Sequence, residues 1–170
     1  MPVPDFIIAL RARIGHEMLW LSGATAVILR DDPAGRQVLL IKRSDDGDWS
    51  PVSGIVDPGE DPHVTAVREA QEEACVEIEV ERLAWMSVTE PVTYPNGDIT
   101  QYIDHTFRCR WLSGVPVPGD GEATEAGFFP LDALPDMPAH YRERIDVALQ
   151  DRPDTVLGRS WLSGADPEAS

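Results

Sequence analysis

Lysine is nearly absent from this chain: Lys42 is the only one, and 14 Lys+Arg stand against 30 Asp+Glu for a formal net charge of −16. A surface this acidic repels a nucleic-acid backbone, so DNA or RNA binding is not expected. A free phosphate substrate would be repelled as well. An anionic substrate therefore needs a local reversal of the field, which a divalent metal supplies most directly. Cysteine is scarce too. Cys75 and Cys109 form no CxxC pair and no Cys/His set with zinc spacing, so both read as reduced thiols of a cytoplasmic protein. His16, His63, His105 and His140 are scattered without ligand spacing and read as non-catalytic. There is no basic N-terminal region leading into a long apolar run, no stretch long enough to span a membrane, and no internal repeat.

The 170 residues, 42% hydrophobic and 26% charged, suit one compact domain with short appendages. Residues 5–20 have helical spacing, with Phe6, Ile7, Leu10, Ile14 and Met18 near one face. Residues 24–30 and 37–43 read as strands joined by the turn Asp31-Asp32-Pro33-Ala34-Gly35. Residues 44–61 read as a loop. Asp61 followed by Pro62 is a helix start, and the helix should run to about Ala74. Residues 76–93 favour strand, and Asn96-Gly97 signals a hairpin. Beyond it, Ile99, Ile103, Phe107, Cys109 and Trp111 give a strand one apolar face, with Cys109 in the core. An acidic, Gly-rich loop over 113–124, a short strand over 127–131 and an amphipathic helix over 138–150 follow. The last twenty residues show little pattern and read as a mobile tail, with Trp161 and Leu162 as candidate anchors. Strands mixed with two or three helices imply an α/β sandwich around a mixed sheet.

The segment richest in chemistry is Gly54 to Val76. On a helical wheel Val64, Val67, Ala70 and Ala74 share one face, while Glu69, Glu72 and Glu73 share the opposite one. Like charges on adjacent turns cost a helix a few tenths of a kcal/mol per pair. Such a face is either well solvated or binds a cation, and carboxylates suit a hard ion such as magnesium.

The spacing decides between the two. Gly54, Glu60, Arg68, Glu69, Glu72, Glu73 and Val76 match the pattern G-x5-E-x7-R-E-U-x-E-E-x-G-U, so the segment resembles the Nudix box. Two positions depart from it: Ala70 is smaller than the usual aliphatic, and Cys75 replaces the second glycine. Upstream, Val52-Ser53-Gly54 stands where the family often has Pro-Gly-Gly. The resemblance implies a Nudix α/β/α sandwich over roughly residues 23–150, preceded by an N-terminal helix (1–22) and followed by the tail (151–170). It implies a hydrolase of diphosphate bonds in which Glu69, Glu72 and Glu73 hold magnesium or manganese and one of them helps to activate water. It also implies that Arg68 orients a glutamate, that Glu60 supports the loop, and that a carbonyl at Ser53 or Gly54 completes the metal shell. The expected substrate is a small nucleoside diphosphate linked to another group, ADP-ribose-like or a nucleoside triphosphate. A nucleotide-sensing regulator and an isopentenyl-diphosphate isomerase are the alternatives. The first would be expected to lose box carboxylates, and no cysteine–glutamate signature supports the second.

Outside the box, Arg43 (with Lys42) is a candidate phosphate contact and Trp49 a candidate base-stacking residue, each with a structural role as the alternative. Pro91 and Tyr94 resemble hints of two different substrate groups within the family, and they cancel. On the loop 118–125, Glu122 is the candidate extra metal ligand or base, because a carboxylate on a mobile loop can close over the substrate. Glu125 is expected to be fixed at the surface. The apolar stripe of the N-terminal helix is expected to pack on the domain or on a second copy in a homodimer.

Overall fold

A computed structural model describes residues 3–158. Helix α1 (Asp5–Ile14) is followed by two long strands, β1 (Leu19–Asp32) and β2 (Gly35–Arg43), and by the short strands β3 (Trp49–Ser50) and β4 (Val52–Ile55). Helix α2 (Pro62–Ala74), β5 (Glu77–Val88), β6 (Val92–Thr93) and β7 (Ile99–Ser113) come next, then β8 (Ala123–Pro130), α3 (Ala139–Leu149) and β9 (Val156–Leu157). The strands form one mixed sheet with the path β3-β2-β1-β7-β5-β9. β4 pairs with β1, β6 with β7 and β8 with β2. β1–β7 and β5–β9 are parallel, and the other pairings are antiparallel.

Strand alternation creates two cores. Ala24, Ala26, Ile28, Leu39, Ile41, Phe107 and Cys109 face α2. Val27, Leu29, Val38, Leu40, Ala84 and Trp85 face α3, meeting Ile145, Val147 and Ala148. This is the expected α/β/α sandwich, and burial raises the Cys109 thiol pKa as befits a core residue. The two turn readings also hold: Asp32 pairs with Gly35 across the first hairpin, and Gly97 takes φ 88° in the second.

Several boundaries differ from the sequence reading. α1 stops at Ile14, because Gly15 (φ 61°) turns the chain and Leu19 enters β1. The expected break after residue 22 thus falls inside β1. Of the α1 stripe only Ile7 is buried, against Leu19 and Leu21; Leu10, Ile14 and Met18 stay exposed. The 44–61 loop contains β3 and β4, whose pairing comes from neighbouring strand edges rather than from a local pattern. β7 buries Thr100, Asp104 and Thr106 on its polar face, because it is a central strand covered from both sides. The expected tail begins with residues that lead into β9, where Val156 pairs with Trp85. Trp161 and Leu162 lie outside the described residues. Among the described residues no helix is long and apolar enough to cross a membrane.

Candidate active site

α2 presents a face to the sheet that the helical wheel does not give. Its buried residues are Thr65, Ala66, Glu69, Ala70, Glu73 and Ala74, whereas Val64 and Val67 are more than 40% exposed. Three alanines four residues apart bring the helix close to the sheet, and Glu69 and Glu73 flank that stripe on the same side. Hydrophobicity alone would have turned both carboxylates outward. Only Glu72 remains exposed.

Opposite them lies β4, an edge strand held in register by β1, with Ala24 facing Gly54 and Thr25 facing Ser53. The Ser53 amide donates to Glu73 Oε2 at 3.1 Å. A Cβ at Gly54 would lie 1.8 Å from Glu69 Oε1 and 2.1 Å from its Cδ, so only glycine admits Glu69 there. Arg68 ties the segment together. Its Nη1 donates to Glu69 Oε1 (2.8 Å) and Glu72 Oε2 (3.0 Å), its Nε and Nη2 grip Glu60 at 3.1 and 3.0 Å, and Nη2 also reaches the Ile55 carbonyl. This guanidinium, with help from the Thr65 hydroxyl, holds the Glu60 carboxyl down to about 2.

The deeper pair behaves oppositely. Burial pushes Glu69 up to about 7 despite Arg68. Burial, and then the charge of Glu69, pushes Glu73 up to about 8. Glu69 Oε2 is buried and has no hydrogen-bond partner among the described residues. Two dry carboxylates, one with an orphaned oxygen, want an added cation, and an all-oxygen donor set beside backbone carbonyls suits a divalent one. The residues present therefore fit the metal that the box implies. The three glutamates do not converge on one point here, since Arg68 draws Glu72 outward; among the described residues no set of three acidic, histidine or cysteine side chains forms a metal cage.

The loop after β7 runs across the C-terminal end of α2. Val117 N donates to Ala74 O and Gly119 N to Glu73 O, both at 3.2 Å. Cys75, at φ 54° and ψ 38°, terminates the helix in the left-handed conformation expected at the position of the missing glycine. On this loop Asp120 is the carboxylate whose charge raises Glu69 and Glu73. Sequence reasoning passed it over for Glu122. The structure anchors Glu122 where a freely moving loop end was expected: its carbonyl accepts from Ser44 N at 2.7 Å and its amide donates to Asp120 Oδ1. Glu125 is bound to Lys42 at the surface, as expected.

Arg43 is held by Asp45, with Asp46 nearby, and its charge pulls Glu73 partly back down. Trp49 packs edge-on against Phe129, with ring centroids 4.8 Å apart, and Lys42 Nζ lies 5.8 Å from the indole centre. A further network escaped the sequence reading. Buried Asp104 accepts from Thr25 (2.8 Å) and Thr106 (2.6 Å), and Arg144 reaches both Thr25 (3.1 Å) and Asp104 (3.4 Å). Its members lie up to 119 residues apart, so no local pattern announces it.

The family model described as NUDIX domain matches residues 21–149. The chain belongs to the Nudix family. Among curated proteins it is similar to the NAD-capped RNA hydrolase NudC of Pseudomonas aeruginosa, 34% identical over 123 residues, which is 69% of this chain and 41% of that one. The chain thus spans less than half the length of the curated relatives it matches. Two of the many solved structures with a similar fold illustrate the likeness. One is a UDP-X diphosphatase (TM-score 0.65, 20% identity, 90% of this chain and 74% of that one). The other is an ADP-ribose pyrophosphatase from Streptococcus suis (TM-score 0.60, 23% identity, 81% and 97%).

Proposed function

We propose that this protein is a magnesium-dependent pyrophosphohydrolase that cleaves the diphosphate linkage of a nucleoside diphosphate joined to another group, ADP-ribose-like or a nucleoside triphosphate. The observation that carries the reading is the buried Glu69 carboxylate, whose Oε1 is packed against Gly54 and whose Oε2 has no hydrogen-bond partner among the described residues, with Glu73 buried beside it. Both carboxylates are retained at a cost in desolvation that a purely structural helix would avoid. A nucleotide sensor would have no use for that cost, which favours turnover over sensing.

Glu69, Glu72, Glu73 and a carbonyl at Ser53 or Gly54 would hold the metal. When bound, it would neutralise the diphosphate and make a coordinated water acidic. The chain's own residues do the positioning, which dominates phosphoryl transfer. Glu60 fixes Arg68, and Arg68 fixes Glu69. Arg43 meets a substrate phosphate. Glu122 takes the proton of the attacking water, and the neighbouring Asp120 acts through its charge on Glu69 and Glu73. The reduced thiols fit a cytoplasmic protein. The exposed Ile8, Leu10 and Ile14 on α1, with Met18 and Trp20, fit a homodimer, and sedimentation of the full chain as a monomer at micromolar concentration would remove that part.

The test is hydrolysis of a panel with and without magnesium: ADP-ribose, NAD, UDP-sugars, nucleoside triphosphates and, given the NudC likeness, a 5′-NAD-capped RNA. The acidic surface predicts the small substrates over the RNA. Glu73→Gln and Glu72→Gln should each lower kcat/KM at least about a hundredfold, as expected when a metal ligand's charge is lost. Magnesium-independent activity, or wild-type turnover in either variant, would overturn the reading.

A further inference from the structure

Parallel pairing sets Val156 of β9 beside Trp85 of β5 and Leu157 beside Met86. Two hydrogen bonds fix the next residue: the Gly158 amide donates to the Met86 carbonyl at 3.0 Å, and its own carbonyl accepts from Trp85 Nε1 at 2.6 Å. Direct partners on neighbouring strands share a face of the sheet. Val156 therefore joins Trp85 in the core under α3. Leu157 lies with Met86 and its β7 partner His105 on the other face, which α2 covers further along, at Phe107 and Cys109. At the β9 end this face is open. Leu157 is 64% exposed and Val88 40%, while Met86 and Ile103 are half-buried. Val88 and Gln101 line a cleft of about 300 Å³ there, together with Thr89, Glu90 and Gly158. Pockets for small molecules span about 300–1,000 Å³, so this one is sized for a single side chain.

The chain's own sequence supplies an occupant. Gly158 stands at the cleft, and Arg159, Ser160, Trp161 and Leu162 follow it. The register of β9, carried on by the same offset, sets position 159 beside Val88 and position 161 beside Glu90. The backbone of this stretch stays alongside β7, because the Thr89 amide donates to the Tyr102 carbonyl at 2.9 Å. A period of two then assigns Trp161 to the face of Leu157, over the cleft, with Arg159 between them. Each side chain meets a neighbour that suits it. Arg159 brings a positive charge within one pleat of Glu90, and an indole offers an apolar body and one N–H to a lining of valine, amide and carbonyl groups. Trp161 and Leu162 are also the large apolar residues of the segment 159–170. A second copy of the chain is the less favoured occupant, since it would bring two formal charges of −16 together.

We propose that this open sheet face is the docking site of the chain's own segment after Gly158, with residues 159–162 continuing β9 along β5 and the Trp161 indole seated in the cleft beside Val88 and Gln101. The test is fluorine NMR of the full chain labelled with 5-fluorotryptophan, the Trp161 signal being the one lost in Trp161→Phe. That signal should lie away from the position of the free amino acid, show little solvent isotope shift, and keep its position from about 20 to 500 μM protein. Val88→Asp should return it to the free position, and the milder Val88→Thr should move it part of the way. Trp161→Ser should lower Tm by about 5 °C, the size expected for one buried aromatic side chain in a chain of this length. Trp161→Phe should keep most of that stability, and Val88→Asp with Trp161→Ser should melt no lower than Val88→Asp alone. A Trp161 signal at the free position in the wild-type chain, or a displaced one that neither Val88 variant moves, would overturn the proposal. So would a signal that shifts with concentration as the chain sediments as a dimer, because a second copy would then hold the indole.

Discussion

Gly54→Ala isolates the contact on which the site depends. Gly54 is not in the left-handed region, so alanine meets no backbone strain there. The whole effect comes from one methyl group 1.8 Å from Glu69 Oε1, 2.1 Å from Cδ and 2.7 Å from Cγ. Ordinary contact between such atoms needs about 3.5 Å, so the carboxylate must move by roughly 1.5 Å or more. What stands in the way is the free end of a side chain, not backbone, so the fold yields cheaply. An off-rotamer Glu69 should cost about 1 kcal/mol, or roughly 2–4 °C in Tm. Activity should suffer far more, since a misplacement of about 1 Å at the reacting centre costs about a hundredfold. Steady-state kinetics over a magnesium titration, beside thermal melts, will separate the two. Gly127→Ala is the control, because its Cβ would meet only Phe129 at an ordinary 3.8 Å. Wild-type kcat and magnesium dependence in Gly54→Ala would refute the reasoning, and so would a collapse in Tm that accounts for the lost activity.

Three other outcomes are expected. Cys75→Gly should be neutral or stabilising by up to about 1 kcal/mol, because Cys75 is left-handed at φ 54°; a clear fall in Tm would show that its side chain packs usefully beside Gly119. Glu69 and Glu73 release their protons only at about 7 and about 8 in the folded metal-free chain, against 4.5 for an ordinary glutamate. The folded state binds more protons across that interval, so metal-free stability should fall from about pH 4.5 to about pH 8 and magnesium should restore it most at the alkaline end; melts that are flat with pH would contradict this. On the capping loop, Glu122→Gln should lower kcat with little change in KM, and Glu125→Gln should do less. Asp120→Asn should let magnesium activate at lower pH, because its charge raises both buried glutamates; an unshifted magnesium–pH profile would exclude Asp120 from the site.

By itself the sequence determined the family and the sandwich. Both are written in local spacing: alternation of two along the strands, the Asp61-Pro62 start of α2, and the fixed intervals from Gly54 to Val76. Tertiary structure decided which way the carboxylates face. Whether a glutamate points to water or into the protein depends on what packs against the helix, and here the close approach of Ala66, Ala70 and Ala74 to β1 and β4 carried Glu69 and Glu73 inward while Val64 and Val67 were left outside. It also decided that Asp120 stands by the buried pair and that Arg144 meets Thr25 and Asp104, because those groups come together only when distant strands and helices are stacked. Local patterns reach one or two turns of chain. An electrostatic environment is the sum over everything within a few ångströms, wherever it lies in the sequence.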